Sequence, residues 1–328
     1  MSSVDLKTIR KAITDQKANW KAKDHPFLQL SAEETKRHLG VIVDEQRLQE
    51  LRAQPKPDMA RVIAQFKGLH LSETTHAKAH EMTQQPGGSL KKHAYALDER
   101  ILASIREYLT HIFFEIVDWR EDRDGQNDVT GVKDQGGCGS CVSFGTIGTL
   151  ESMVLIEHDV SLDLSEAELL FCGGGGCGGW WPDSAVTYLL NDGVALESCF
   201  PYQDHDMPCT TCGERTGEAI QITNHTVLFD IAQRKHYLAN IGPVMCVFEV
   251  YDDFFGYSSG VYSHVSGGFA GLHCVEVIGY DDLAGCWTCK NSWGSGWGDN
   301  GYFRIAYGQC GIDSTYPFWG ISGTHWHS

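Results

Sequence analysis

The stretch Gln135-Gly136-Gly137-Cys138-Gly139-Ser140-Cys141-Val142-Ser143-Phe144 sets a thiol at the head of a proline-free run that continues to His158. Phe144, Ile147, Leu150, Val154 and Leu155 recur at roughly helical spacing, which predicts a helix opening at Cys141. A thiol with an ordinary pKa of about 8.5 is mostly protonated at neutral pH, so a nucleophilic cysteine needs a cation or a helix N-terminus beside it. The predicted helix would supply the second of these. His273 would supply the first, and Asn291, in Lys290-Asn291-Ser292-Trp293-Gly294, would hold one imidazole nitrogen so that the other faces sulfur. Gln135, just upstream, can offer a side-chain N–H to a developing oxyanion, with the Cys141 backbone N–H as second donor.

Other readings of the cysteines are weaker. Cys138/Cys141, Cys209/Cys212 and Cys286/Cys289 are Cys-x-x-Cys pairs, and two such pairs can ligate zinc. A zinc ribbon would set both pairs on tight turns of one small module, whereas Cys289 lies in an apolar run entering the Asn291 stretch and reads as a buried strand thiol. A thioredoxin-like role for Cys138/Cys141 would need short alternating strands and helices after it, and that pattern is absent.

From Cys141 to about Asn191 the chain reads helical, with stops at Gly173 to Gly176 and at Asp192-Gly193. From about Ile220 it reads as strands between glycine turns, as at Pro243 to Val250, Cys274 to Tyr280 and Tyr302 to Ala306. Helices first and strands second make an α+β chain of two halves. The nucleophile comes from one half and the base from the other, so a substrate groove would lie between them, with no cofactor and no metal required.

Further stretches fall in a fixed order: Val117-Asp118-Trp119-Arg120, Val132-Lys133-Asp134-Gln135-Gly136, Leu164 to Leu170, Cys177-Gly178-Gly179-Trp180-Trp181-Pro182, Phe200-Pro201-Tyr202, Gly242-Pro243-Val244, Gly260-Val261-Tyr262, His273 to Tyr280 and Lys290 to Tyr302. With them the chain resembles the papain-like cysteine peptidases over roughly 200 residues, a far more specific signal than one short motif. The resemblance implies a two-lobed fold, with a helical left half over about 130–215 and an antiparallel β-barrel-like right half over about 216–328. It also implies an endopeptidase acting on peptide or protein substrate through an acyl-enzyme, and a monomer with no nucleic acid or membrane partner. The alternative is a catalytically silent relative that binds peptides or serves for storage; intact Cys141, His273, Asn291 and Gln135 speak against it.

Similarity to the family pairs Cys138 with Cys177 and Cys172 with Cys209, and dipeptidyl-peptidase-like relatives suggest Cys199 with Cys212. Cys246, Cys274 and Cys289 sit in apolar strand-like segments and read as buried free thiols; Cys286 and Cys310 are left open. Gly178 and Gly179 would let a peptide backbone approach, while Trp180 stands where relatives carry a further glycine. Thr315, five residues after Cys310, falls where the family places the floor of its main specificity pocket, and a small neutral residue there argues for an apolar side chain at the second residue before the scissile bond (P2) and against arginine. Trp293 and Trp297 match indoles that shield the His–Asn bond. Val142 and Leu272 depart from the family pattern without touching the transfer chemistry. No His-His occluding loop stands between Cys177 and Tyr202, which favours endopeptidase action.

The 328 residues, 42% hydrophobic and 11% aromatic, suffice for a sizeable core. No apolar run approaches the ~18 residues that span a bilayer, and Met1 to Arg10 carries no hydrophobic signal region. Twelve cysteines point to an oxidising setting, secreted or lysosome- or vacuole-like. Residues 1–114 hold 18 Lys+Arg against 14 Asp+Glu, a net of +4, and residues 115–328 hold 8 against 29, a net of −21. The two parts attract, as an inhibitory propeptide (1–114) and its catalytic domain (115–328) would. Asn19 to Phe27 and Ser31 to Gly40 resemble the short cathepsin-B-type proregion, with a Ser31/Glu34 capping-box spacing. In relatives the next segment, here within Val41 to Asp58, crosses the cleft in reverse. A further helix is expected over His93 to His111. The Asn224-His225-Thr226 sequon matters only in a eukaryotic secretory route.

Overall fold

Short capped helices open the chain. A computed structural model describes residues 4–68, 115–121, 125–210 and 219–326; the expected helix over His93 to His111, and Cys212, lie outside them. Helix α1 (Leu6–Asp15) begins where the Asp5 carboxylate accepts from Thr8 N–H, and strand β1 (Trp20–Ala22) follows. Helix α2 (Ala32–Lys36) carries the expected capping box, Ser31 and Glu34 each bonding the other's backbone. Asp44 caps α3 (Glu45–Ala53) and Asp58 caps α4 (Met59–Phe66).

After β2 (Ile116–Asp118) comes the predicted helix, α5 (Cys141–His158), which ends at Asp159 in the left-handed region with φ 56°. Every residue from Cys141 to Val154 is buried, so α5 is a central helix rather than an amphipathic one. Its polar side chains survive burial because they are bonded: Ser143 Oγ donates to Glu166 O, Thr149 Oγ1 to Gly145 O and Ser152 Oγ to Glu276 Oε1. A π-type turn (Glu168–Cys172) and α6 (Pro182–Asn191) complete the helical half.

The second half holds β3 (Ile220–Leu228), β4 (Val244–Tyr251), β5 (Tyr257–Tyr262), β6 (Phe269–Asp281), β7 (Cys286–Lys290), β8 (Tyr302–Ala306) and β9 (Phe318–Trp326). Helix α7 (Ile231–Asn240) interrupts the strands where the sequence reads as strand throughout; Asp230 caps it, and Tyr237 and Leu238 bury its inner face. The sheet runs β1-β5-β8-β7-β6-β4-β9-β3, with β2 beside β6. Its pairs are antiparallel except β5–β8. The α+β arrangement with a mainly helical N-terminal region is therefore the expected one.

Two packing features position the site. Gly145 lets α5 rest on β6, since a Cβ there would stand 3.1 Å from Cys274 Sγ. Behind β6, Phe248, Phe254, Trp293, Trp297 and Phe303 interlock edge to face, as in Phe248–Phe254 with centroids 5.3 Å apart. The N-terminal region joins this core through Trp20, only 3% exposed and packed on Tyr257 and Tyr262. Truncating such a buried indole to alanine costs about 3–5 kcal/mol, so Trp20 anchors β1 to β5.

Candidate active site

Cys141 is the first residue of α5 and wholly buried. Its sulfur takes backbone hydrogen bonds from Cys274, the residue after His273, and from Gly40 of the N-terminal region. The thiol thus sits where helix α5 abuts β6, at the backbone of the residue that follows His273. His273 Nε2 lies 2.7 Å from Asn291 Oδ1. The same Oδ1 accepts from Ser292 N–H at 2.8 Å, which fixes the amide's orientation and makes Nε2 the proton-bearing nitrogen. Nδ1 is left with its lone pair, buried and unbonded among the described residues. Trp293 covers the imidazole at a centroid distance of 4.8 Å, and Trp297 backs Trp293 at 4.9 Å.

Gln135 is held from three sides. Its N–H donates to Ser292 O at 2.9 Å, its Oε1 accepts from Ser292 Oγ at 2.6 Å, and its O accepts from Tyr202 OH at 2.8 Å. Its Nε2 is thereby turned outward, donating to Cys138 O at 2.9 Å and to His38 O at 3.3 Å. Trp293 Nε1 donates to the same His38 carbonyl at 3.2 Å. A carbonyl of the chain's own N-terminal region therefore occupies Gln135 Nε2, one of the two donors expected to meet a substrate oxygen.

That region lies across the cleft. Trp180 N–H donates to Gly40 O at 2.7 Å, Ile42 N–H donates to Trp180 O at 2.9 Å, and Val41 bridges Trp180 in parallel. The crossing begins at His38, earlier than the Val41 to Asp58 window, and takes in only Val41 and Ile42 of it among the bonds to Trp180; half of the window is helix α3. Leu39 lies 6% exposed against Gly271, and Phe27 packs on both His38 and Trp293. Enclosed this way, Cys141 is pushed up to about 12 by burial and His273 is pulled down to about 4 by the same desolvation. While the site is covered, both shifts oppose forming the thiolate–imidazolium pair.

The Cys138–Cys177 bond ties the loop before Cys141 to the Gly178-Gly179-Trp180 stretch, and Gly139 N–H reinforces it by donating to Cys177 O at 2.9 Å. Cys172 is bonded to Cys209; Cys199 is also disulfide-bonded, and its expected partner Cys212 lies outside the described residues. Zinc readings of Cys138 and Cys209 end with these bonds. Cys246, Cys274, Cys286, Cys289 and Cys310 are free and buried. Trp180 uses its backbone in the cleft, while its indole lies down on the glycine loop: Cβ atoms at Gly173 and Gly175 would come within 2.5 Å and 2.8 Å of it. Gly178 is open above it. Thr315 is half-buried, its carbonyl accepting from Arg52 Nη2 at 2.6 Å.

Several residues escaped the sequence reading. Lys133 bonds Glu151, Asp163 and Glu166 at 2.7–2.9 Å, and burial holds Glu166 well above the usual carboxylate range, at about 8. Lys290 pairs with Glu276 at 3.0 Å directly before Asn291. Ser292, adjacent to Asn291, orients both Gln135 and the amide, and its place in the Asn-Ser-Trp run was the only signal. On the outer region, Arg47 Nε reaches Asp183 Oδ2 at 2.6 Å and Lys56 reaches Asp230 at 3.4 Å.

The sequence profile of papain family cysteine proteases matches residues 114–318. Thiol protease aleurain of Arabidopsis thaliana is 37% identical over 217 residues, 62% of this chain and 60% of aleurain. Pro-cathepsin H of Mus musculus is 38% identical over 215 residues, 61% of this chain and 64% of its own length. The chain thus spans about 60% of the length of these curated relatives. Among solved structures, proCathepsin B S9 from Trypanosoma congolense has a TM-score of 0.70 at 23% identity, over 97% of this chain and 98% of that one, a likeness of fold that takes in the N-terminal helices. Procathepsin L 3 of Tenebrio molitor larval midgut gives 0.66 at 24% identity, over 97% and 87%. In sequence the kinship runs to aleurain and cathepsin H, so the cathepsin-B likeness is one of fold. The chain belongs to the papain family of cysteine proteases.

Proposed function

We propose that the chain is a cysteine endopeptidase made as a latent zymogen, with residues 1–114 as a propeptide of the short cathepsin-B type and residues 115–328 as the catalytic domain. One observation carries the reading: an imidazole fixed by Asn291, with Nδ1 unbonded among the described residues, follows on β6 directly before the residue whose backbone meets a thiol at a helix N-terminus, and the chain's own His38 to Ile42 lies across this cleft. Once uncovered, Cys141 sulfur attacks the peptide carbonyl while Gln135 Nε2 and the Cys141 N–H hold the oxyanion. His273 Nδ1 takes the Cys141 thiol proton and passes it to the leaving amine as the C–N bond breaks, Trp293 keeps water from the His–Asn bond, and a water molecule that gives its proton to His273 then attacks the acyl carbonyl and expels the Cys141 sulfur, which regains that proton. Gly178, Gly179 and Trp180 pair the substrate backbone in the place now taken by Gly40 and Ile42. Thr315, small and uncharged, admits an apolar P2 side chain. Disulfides on this scale fit a lysosome- or vacuole-like compartment.

The test is hydrolysis of a fluorogenic dipeptide with leucine at P2, before and after acid treatment, with Cys141→Ala alongside. Thiol-dependent hydrolysis that appears only after acid is expected. No hydrolysis by the acid-treated wild type would favour a silent peptide-binding or storage protein instead.

A further inference from the structure

We propose that Glu276 and Lys290 are positioning residues of the peptidase: their buried ion pair holds the nucleophile helix at a fixed tilt on the strands that carry His273 and lead into Asn291. This rests on the reading of Cys141, His273 and Asn291 as the reacting set. Glu276 stands three residues after His273 on β6 and pairs in register with Lys290, the residue before Asn291 on β7. The two side chains are 1% and 7% exposed, and their charges meet at 3.0 Å. Glu276 Oε1 accepts from Ser152 Oγ of α5 at 2.7 Å, so one carboxylate reaches the helix of Cys141, the strand of His273 and the strand that runs into Asn291. Lys290 Nζ donates on to Thr130 Oγ1 at 3.1 Å, and Thr130 donates to Glu151 Oε2 at 2.6 Å, which returns the network to α5.

Two glycines of α5 receive β6. Gly145 lies against Cys274, and a Cβ at Gly148 would stand 2.7 Å from Glu276 Oε2 and 3.3 Å from Lys290 Nζ. Cys274 and Glu276 share one strand face, so the second contact fixes the tilt that the first leaves open. At 1.5 Å per residue, Gly145 lies about 6 Å from Cys141 along the helix axis and about 4.5 Å from Gly148. With Gly145 as pivot, a displacement at Gly148 reappears about a third larger at Cys141. A 1 Å misplacement of a reacting group can cost about a hundredfold in rate. Stability alone does not account for the pair, because a buried ion pair gains little over well-packed apolar residues of the same volume. What it adds is direction, since each oxygen of Glu276 has a partner on a different element.

The acid-treated full-length chain is assayed on the leucine-P2 substrate, with rates expressed per titrated active-site thiol so that only folded enzyme counts. Glu276→Leu strands the Lys290 charge and should lower both melting temperature and kcat. Glu276→Leu with Lys290→Met strands no charge, so the melting temperature should return toward that of the wild type. Its kcat should stay about 10- to 100-fold low with KM within about twofold, because neither new side chain offers Ser152 or Thr130 a directed bond. Gly148→Ala keeps both charges and gains helix propensity, yet its methyl must displace the pair by a few tenths of an ångström, and kcat should fall about 3- to 10-fold. In the double variant and in Gly148→Ala the bell of kcat/KM against pH should narrow, its acid limb rising and its alkaline limb falling by about half a unit, since a misaligned imidazolium stabilises the thiolate less. A wild-type kcat with an unchanged bell in either of these would overturn the assignment and leave the pair as packing alone. Absence of thiol-dependent hydrolysis by the wild type would overturn the peptidase reading and this assignment with it.

Discussion

Gly40→Ala should release the latent chain without touching the catalytic domain. A Cβ at residue 40 would stand 1.8 Å from Gly139 O and 2.3 Å from its carbonyl carbon, where real Cβ contacts stay beyond 3.0 Å. Gly139 has no room to retreat, since its N–H is bonded to Cys177 O and its neighbour Cys138 is disulfide-bonded to Cys177. The N-terminal strip must therefore rise by more than about 1 Å. Rising breaks Trp180 N–H to Gly40 O and Ile42 N–H to Trp180 O, at about 1 kcal/mol each. It also withdraws part of Leu39, whose full burial is worth about 1.5–3 kcal/mol. Together these give about 2–4 kcal/mol, or roughly 30- to several-hundred-fold more uncovered chain. The assay is iodoacetamide labelling of Cys141 in the full-length chain at neutral pH without acid, localised by peptide mapping because other free thiols are buried nearby. Labelling of Gly40→Ala at the wild-type rate, with intact mass unchanged, would refute the steric account of latency.

Other consequences can be measured alongside. Arg47→Ala removes a pair with Asp183 whose arginine is 35% exposed, so docking should weaken by only about 0.5–1 kcal/mol and activation quicken a few-fold at low salt, the difference vanishing at high salt. Burial holds docked His38 below its ordinary value. Docking is therefore strongest above about pH 6.5 and weakens as pH falls below it, and His38→Phe, which keeps the stack on Phe27, should shift the release midpoint to lower pH in an activation titration. Asn291→Ala frees the imidazole to turn, and kcat/KM should drop by roughly a hundredfold with the melting temperature little changed. Lys133→Met takes the shared cation from Glu151 and Glu166 in the interior, leaving Glu151 only the bonds from Thr130 and Leu164, a loss of about 3–5 kcal/mol visible in a thermal melt.

What the sequence made legible was what local chemistry writes locally. The helix at Cys141, the capping box at Ser31 and the glycine stops after Cys172 depend on neighbours a few residues away, and each stands where the reading put it. Helix α7 escaped because its apolar residues, Ile231, Tyr237, Leu238 and Ile241, resemble the surrounding strands; only Asp230 marks its start. The glycines from Gly173 to Gly176 read as a simple stop, yet two of them are the seat of the Trp180 indole. That explains how a tryptophan replaces a family glycine: the backbone pairing is kept and the ring is stored beneath it. Lys133 was invisible for a related reason. Its partners come from later elements of the chain, and no spacing rule connects Lys133 to Glu166.

The raised Cys141 and lowered His273 follow from coverage rather than from misplacement. Asn291 already holds the imidazole in the tautomer that leaves Nδ1 unprotonated, Trp293 already shields it, and α5 already aims its N-terminus at the sulfur. What the covered site lacks is solvation: burial raises the thiol and lowers the imidazole, so moving the proton from sulfur to nitrogen is opposed from both ends. The Gly40 backbone bond to the sulfur favours the thiolate, but it arrives with the strip that excludes water, and desolvation is the larger effect. On the proposed zymogen reading, lifting His38 to Ile42 would return water to thiol and imidazole together, so coverage would act both by blocking the cleft and by opposing the ion pair.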